Sequence, residues 1–218
     1  TLVRAGQEDT VSGVELFRFS NGIFTAAQIL NDAPVAPGVT ASSNENVADT
    51  VVLATVVATD ADAPLGDVLS YAITGGNGAG LFEINAAGEV SLAAGKVLDY
   101  EAAASHSLTV SVTDTHGATA SVSVVIAVND LNDNDPVFTS AASASVAENV
   151  DASTVLHTAV ATDADASFGA VSYSLSGTDA GLFTINASTG ELRLSAPANF
   201  EAKASYSLDI VATQGATS

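Results

Sequence analysis

The chain has 218 residues, 47% of them hydrophobic, which suffices for one large domain or two of about 100 residues with real cores. Asp and Glu number 25 against 5 Lys and Arg, and the resulting net charge of −20 repels nucleic acid and anionic lipid while attracting cations. Cysteine is absent, excluding disulfides and thiolate zinc sites and leaning toward a bacterial surface protein; no stretch nears the roughly 18 apolar residues of a membrane span, so no direct membrane insertion is expected.

The chain opens on Thr1 with neither an initiator Met nor a leader, and reads as a fragment or a processed piece. Residues 1–32 fall outside the repeat described below and read as the trailing segment of a preceding domain. Within them "DTVSGVELFRFSNGIFTAAQIL" (9–30) predicts a hairpin, with Phe17 and Phe19 on one face, Leu16 and Arg18 on the other, and a turn at Ser20-Asn21-Gly22. This segment resembles the stretch that trails calcium-binding glycine-rich (RTX-like) blocks in bacterial type I secreted proteins. Extracellular or cell-surface localisation follows from that resemblance.

From residue 33 the sequence is written twice. "ENVADTVVLATVVATDAD" (45–62) returns as "ENVDASTVLHTAVATDAD" (148–165), a displacement of 103 residues. "GLFEINAAGEVSL" (80–92) returns as "GLFTINASTGELRL" (181–194), and "DYEAAASHSLTVSVTD" (99–114) as "NFEAKASYSLDIVATQ" (199–214). Two copied domains are expected, 33–133 and 134–218.

Inside each copy the hydrophobic period is two. Val122, Val124, Ile126 and Val128 share a face of "SVSVVIAVND" (121–130), and Leu108, Val110 and Val112 share one of "SLTVSV" (107–112). Turn signals such as "GGNGAG" (75–80) and "NASTG" (186–190) separate the runs, and no long run has helical period. Each copy therefore predicts an all-β, seven-stranded antiparallel Greek-key sandwich of immunoglobulin-like type, with Leu81, Phe82, Ile84 and their counterparts Leu182, Phe183, Ile185 in the core. The second copy stops at "VATQGATS" where the first runs on into "ASVSVVIAVND", so its last strand is missing from this sequence. Either the natural chain continues, or a strand such as "VELFRFS" (14–20) fills the gap in cis or between molecules.

The acidic residues fall at element ends. Glu45, Asp99, Glu101 and the 130–134 stretch of "NDLNDNDPVF" (129–138) can converge at one pole of a sandwich, with Asp60, Asp62 and Asp114 at the other. A hard cation such as Ca²⁺ takes roughly six to eight oxygens from carboxylates, amides, carbonyls and water, so chemistry of this kind fits such a set.

"ENV", "DAD", "DYE", "VTD" and above all "DLNDNDP" resemble, in order and spacing, the calcium motifs of cadherin repeats, over about residues 33–218. The resemblance implies about two or three Ca²⁺ ions at the junction of the repeats. Glu45, Asp99 and Glu101 would come from the first repeat; Asp130, Asn132, Asp133 and Asn134 from the linker with the carbonyl of Leu131; Asp163 and Asp165 from the second. A second, incomplete site would draw on Asp32, Asp60, Asp62 and Asp114. Where the first repeat has Asp114 the second has Gln214, which should weaken the ion nearest the second repeat, and Asn199 replaces Asp99.

The expected function is a calcium-dependent adhesive region, its partners other cadherin-like domains, with Ca²⁺ in a structural role. The alternative is a calcium-dependent lectin for bacterial surface polysaccharide, disfavoured by 6% aromatics and no Trp. An enzyme is not expected: His106, His116 and His157 stand singly, and Asp99 with Glu101 reads as a linker motif rather than a glycosidase pair.

Overall fold

A computed structural model describes residues 16–19, 22–25, 31–61, 63 and 67–215. The chain divides into two units, Thr1–Asn129 and Asp130–Ser218.

In the first unit β1 (Leu16–Phe19) and β2 (Gly22–Thr25) form the expected hairpin, Leu16 opposite Thr25 and Phe19 opposite Gly22. The pair makes a two-stranded sheet of its own, so the idea that residues 14–20 complete the second repeat in cis is not met by the described residues 16–19. Seven strands follow: β3 (Val39–Asn44), β4 (Ala54–Thr55), β5 (Ser70–Gly75), β6 (Phe82–Ile84), β7 (Glu89–Leu92), β8 (Ser105–Thr113) and β9 (Thr119–Asn129). They form two sheets, ordered β3-β9-β8-β5 and β4-β7-β6.

One pairing departs from the antiparallel expectation: β3 runs parallel to β9, Val39 opposite Val124 and Asn44 opposite Asn129. First and last strands of a sandwich can meet in this way because the whole fold separates them in sequence, so no tight turn dictates their direction. The two-residue period otherwise holds. Leu108, Val110 and Val112 on β8 and Val122, Val124, Ile126 and Val128 on β9 are all buried, in one cluster with Phe82, Val90 and Leu92 of the facing sheet and Val56 just past β4.

The second unit repeats this plan with a gap. It contains β10 (Val137–Phe138), β11 (His157–Thr158), β12 (Ala161–Thr162), β13 (Ser172–Ser176), β14 (Phe183–Ile185), β15 (Glu191–Leu194) and β16 (Asp209–Thr213). β11-β15-β14 reproduces β4-β7-β6, while the counterpart of the four-stranded sheet is reduced to β13-β16. Among the described residues nothing corresponds to β9, and 142–147, which match β3, form no strand. A strand is held by its neighbours; without its pairing partner the segment has no ladder to join. The core is correspondingly smaller, built on Phe183, Leu192, Leu194 and Ala198. Leu182, expected inside, is 46% exposed, because a 3-10 turn at Ala180–Leu182 takes the place of an extended lead into β14.

Candidate functional site

β3 ends at Asn44 and the chain turns immediately. Asn46 adopts φ 56° and Asn149, its copy, φ 58°, a left-handed conformation that Asn tolerates better than other side chains. This accounts for the Asn of both "ENV" motifs. The turn sends Asn46 N–H to Leu98 O and Glu45 N–H to Asn129 O, both at 3.2 Å, fixing Glu45 beside the loop before β8 and the end of β9. Its side chain is 2% exposed and its Oε2 accepts the Tyr100 N–H at 2.8 Å.

Glu101 is exposed, yet one of its carboxylate oxygens lies within 4.8 Å of one from Glu45. Two unit charges at that separation repel by about 3 kcal/mol at an effective dielectric of ~20. A bound divalent cation turns the repulsion into attraction. Asp99 is exposed on the same loop, its Oδ1 accepting the Ala102 N–H at 2.9 Å. The corresponding residues of the second unit are looser: Glu148 and Glu201 are exposed, and Asn199 Oδ1 accepts the Ala202 N–H at 3.2 Å. Glu148 lacks the strand end that seats Glu45.

Within the second unit the linker residues are organised around Asp165, which is wholly buried. Its Oδ2 accepts the Asn134 N–H at 2.7 Å, its Oδ1 accepts Asn134 Nδ2–H at 2.9 Å, and its own N–H donates to Asp163 Oδ1 at 3.0 Å. Asn134 Nδ2 also donates to Asp133 Oδ1 at 3.0 Å, and an Asp133 oxygen lies within 4.8 Å of one from Asp165. Asp130 accepts the Ser167 hydroxyl, Leu131 O accepts the Asp133 N–H at 3.1 Å, and Asn132 Nδ2 donates to Gly215 O at 3.4 Å.

Three buried side-chain oxygens of this unit have no hydrogen-bond partner among the described residues: Asn132 Oδ1, Asp163 Oδ2 and Gln214 Oε1. Leaving a buried acceptor unsatisfied costs about 1–3 kcal/mol each, and native structures rarely tolerate it without a water or an ion. Gln214 is 9% exposed, and its Nε2 is committed to Gly169 O at 2.7 Å. Asp163 and Gln214 line one cleft of about 320 Å³. An all-oxygen donor set of carboxylates, amides and backbone carbonyls suits Ca²⁺, so the residues present fit the ion that the sequence implies.

The second proposed site, in the first unit, is placed as follows. Asp114 is 5% exposed and accepts Asn31 Nδ2–H at 3.0 Å, His116 N–H at 2.8 Å and Ala118 N–H at 2.9 Å. Burial pushes its carboxyl up, but these donors outweigh burial and hold it below the usual carboxylate range. Asp60 follows the bridge between Val35 and Thr59, and Asp32 is exposed; among the described residues neither gathers with Asp114 into a group of three carboxylates. Asp62 lies outside the described residues.

Sequence reading missed Asn31 as a partner of Asp114 and missed Asp67, whose side chain is 1% exposed and pairs with His116 Nδ1 at 2.6 Å. These pairs span 83 and 49 residues, a separation that no local motif encodes.

The Cadherin domain family model matches residues 39–129 and 142–218. Protocadherin Fat 4 of Mus musculus is 38% identical over 166 residues, 74% of this chain and 3% of that protein. Protocadherin Fat 1 of Homo sapiens is 35% identical over 171 residues, 77% of this chain and 4% of that protein. Among solved structures, mouse Cadherin-23 EC22-24 superimposes with a TM-score of 0.74 at 27% identity, covering 84% of this chain and 60% of that one. Human Protocadherin-24 EC1-2 gives 0.66 at 26% identity, with 84% and 94% covered. The chain thus spans only a few per cent of the length of these curated relatives. They are animal proteins, which leaves the expectation of a bacterial, type I secreted source resting on residues 9–30 and on composition.

Proposed function

The chain belongs to the cadherin domain family, and from that premise we propose that it is the calcium-binding, adhesive region of an extracellular protein, Ca²⁺ holding the linker between its two repeats in one conformation. Family membership implies adhesion rather than catalysis. The observation that supports the calcium reading is the set of buried oxygens Asn132 Oδ1, Asp163 Oδ2 and Gln214 Oε1, which have no hydrogen-bond partner among the described residues, in a unit whose carboxylate Asp165 is fully buried.

Glu45, Asp99 and Glu101 of the first repeat, Asp130, Leu131 O, Asn132, Asp133 and Asn134 of the linker, and Asp163 and Asp165 of the second repeat would hold the ions. Bound Ca²⁺ supplies positive charge and oxygen-seeking coordination; everything else is done by the protein. Asp165 orders the linker by gripping Asn134 through two hydrogen bonds, and the turn at Asn46 presents Glu45. Without the ion the crowded carboxylates oppose that order, and the linker gains freedom.

The natural partners are other cadherin-like domains. No observation favours surface polysaccharide: Tyr71 packs on the first core and Tyr206 on the second, and Tyr173 is 9% exposed with its hydroxyl accepting the Ala161 N–H, which leaves no stacking platform among these tyrosines. Calcium titration by calorimetry, with backbone relaxation of residues 129–138 measured with and without chelator, tests the reading. Binding at or below about 1 mM with stiffening of the linker is expected; absence of both would overturn it.

A further inference from the structure

The turn between β14 and β15 is one residue longer than its copy between β6 and β7: Asn186-Ala187-Ser188-Thr189-Gly190 stands against Asn85-Ala86-Ala87-Gly88. Both asparagines do the same local work. Asn85 Oδ1 accepts the Ala87 and Glu89 N–H groups at 2.9 and 3.0 Å, and Asn186 Oδ1 accepts those of Ser188 and Thr189 at 2.9 and 3.1 Å. These donors identify the oxygen of each side-chain amide, and with it the nitrogen.

The nitrogens are used differently. Asn85 Nδ2 donates to Glu89 Oε2 at 2.7 Å. In the second repeat the matching Glu191 Oε2 accepts Arg193 Nη2 at 2.8 Å instead, and Arg193, which stands where the first repeat has Ser91, also donates from Nε to Ser153 O at 3.0 Å. Asn186 Nδ2 makes no hydrogen bond among the described residues. Asn186, Ala187, Ser188 and Thr189 are all exposed, while the Ala187 carbonyl accepts the Tyr173 N–H at 2.9 Å and ties the turn to β13.

Ser188 adds what the first repeat lacks, a hydroxyl two residues beyond the amide. Of the chain's asparagines only Asn186 has Ser or Thr at that spacing, and the residue between them is not proline. The turn by itself accounts for an asparagine, as Asn85 shows. It does not account for the unengaged amide nitrogen or for the hydroxyl.

We propose that Asn186 is the acceptor of an N-linked glycan, a reading that rests on the extracellular placement proposed above. The donor is an oligosaccharide carried on a lipid diphosphate. Asn186 Nδ2 bonds to the anomeric carbon of the first sugar as that carbon's bond to the diphosphate oxygen breaks; the lipid diphosphate leaves with the bonding pair, and the amide loses one proton. Nothing is oxidised or reduced. The fold accommodates the product because the nitrogen is not spent on the turn, and the amide oxygen that the turn does use survives the reaction. Bulky and solvated, the glycan excludes protein partners from the turn between β14 and β15.

The experiment places the 218-residue chain behind a cleavable secretory leader, secretes it from cultured animal cells, and reads intact mass and peptide mass spectra. One glycan per chain is expected, at Asn186, and peptide N-glycosidase should remove it from the folded protein without denaturant, leaving aspartate at that position. Asn186→Asp, which keeps the turn's acceptor oxygen, and Ser188→Ala should each be secreted without the glycan, whereas Ser188→Thr should retain it. Secreted protein with no glycan at Asn186, a glycan that survives Ser188→Ala, or one released only after denaturation would each overturn the proposal. Calcium titration of the same secreted protein keeps this failure apart from that of the calcium reading: a chain that binds Ca²⁺ but carries no glycan overturns the glycan alone.

Discussion

Gln214 and Asp114 hold equivalent places in their repeats, and comparing them isolates what a single atom decides. Asp114 uses its carboxylate on three donors, Asn31, His116 and Ala118. Gln214 spends its nitrogen on Gly169 O, and its buried Oε1 has no hydrogen-bond partner among the described residues. An amide oxygen can ligate Ca²⁺ but brings no charge, so Gln214→Asp should tighten calcium binding by about tenfold, roughly 1.4 kcal/mol, in a calorimetric titration. An unchanged isotherm would place Gln214 outside the site. Asp165→Asn should do the opposite, weakening binding by at least about tenfold and releasing residues 130–134, since it removes charge at the residue that anchors Asn134. A different carboxylate contributes acid sensitivity to the second repeat. The Lys203 ammonium, hydrogen-bonded at 2.5 Å, and then the Ser207 N–H hold Asp179 below the ordinary carboxylate range. Its folded pKa being depressed, its contribution to stability is complete above the unfolded value of about 3.8 and is lost as pH falls through the folded value. Asp179→Asn should therefore flatten the pH dependence of second-repeat unfolding as pH falls below about 5; parallel curves for the two proteins would count against this.

At the scale of elements, two glycines show how tightly the strands are set. Gly88 and Gly190 close equivalent turns at φ 79° and 70°, and a Cβ there would lie 2.4 Å from Val56 O and 2.2 Å from Ala159 O. Either glycine replaced by alanine should cost about 1–3 kcal/mol from backbone strain alone, measured as a lower denaturation midpoint of the repeat concerned. What was legible in the sequence follows the range of the physics. The two-residue period of β8 and β9 is local, and every residue assigned inward on those strands is buried. The duplication is a comparison of the chain with itself, and it needs no distant contact to be seen. The parallel pairing of β3 with β9, the Asp67–His116 contact and the exposure of Leu182 depend on distant segments or on a turn, and no local pattern announces them. For the candidate site the acidic residues at element ends were visible in the sequence and the fuller ligand set was what the resemblance implied, whereas the role of Asn46 as a left-handed turn residue and the Gln214 oxygen needed three dimensions.

For the whole molecule the decisive quantity is the inequality of the two cores. Among the described residues, fourteen form the buried cluster of the first repeat and four that of the second. Apolar burial is the main favourable term in folding, at roughly 25 cal/mol per Å², so copies of one domain with such different cores should not unfold together. Calorimetry of the chain in chelator should resolve two transitions, the lower belonging to the second repeat, with amide exchange of β13 and β16 collapsing before that of β8 and β9. Calcium should then raise the lower transition, because Asp163, Asp165 and Gln214 all lie in the second repeat and an ion that binds only folded protein stabilises it by about 2.7 kcal/mol at a hundredfold excess over Kd. A single transition in chelator, or a lower transition indifferent to calcium, would mean that the second repeat draws its stability from somewhere other than its core and its oxygen-lined apex.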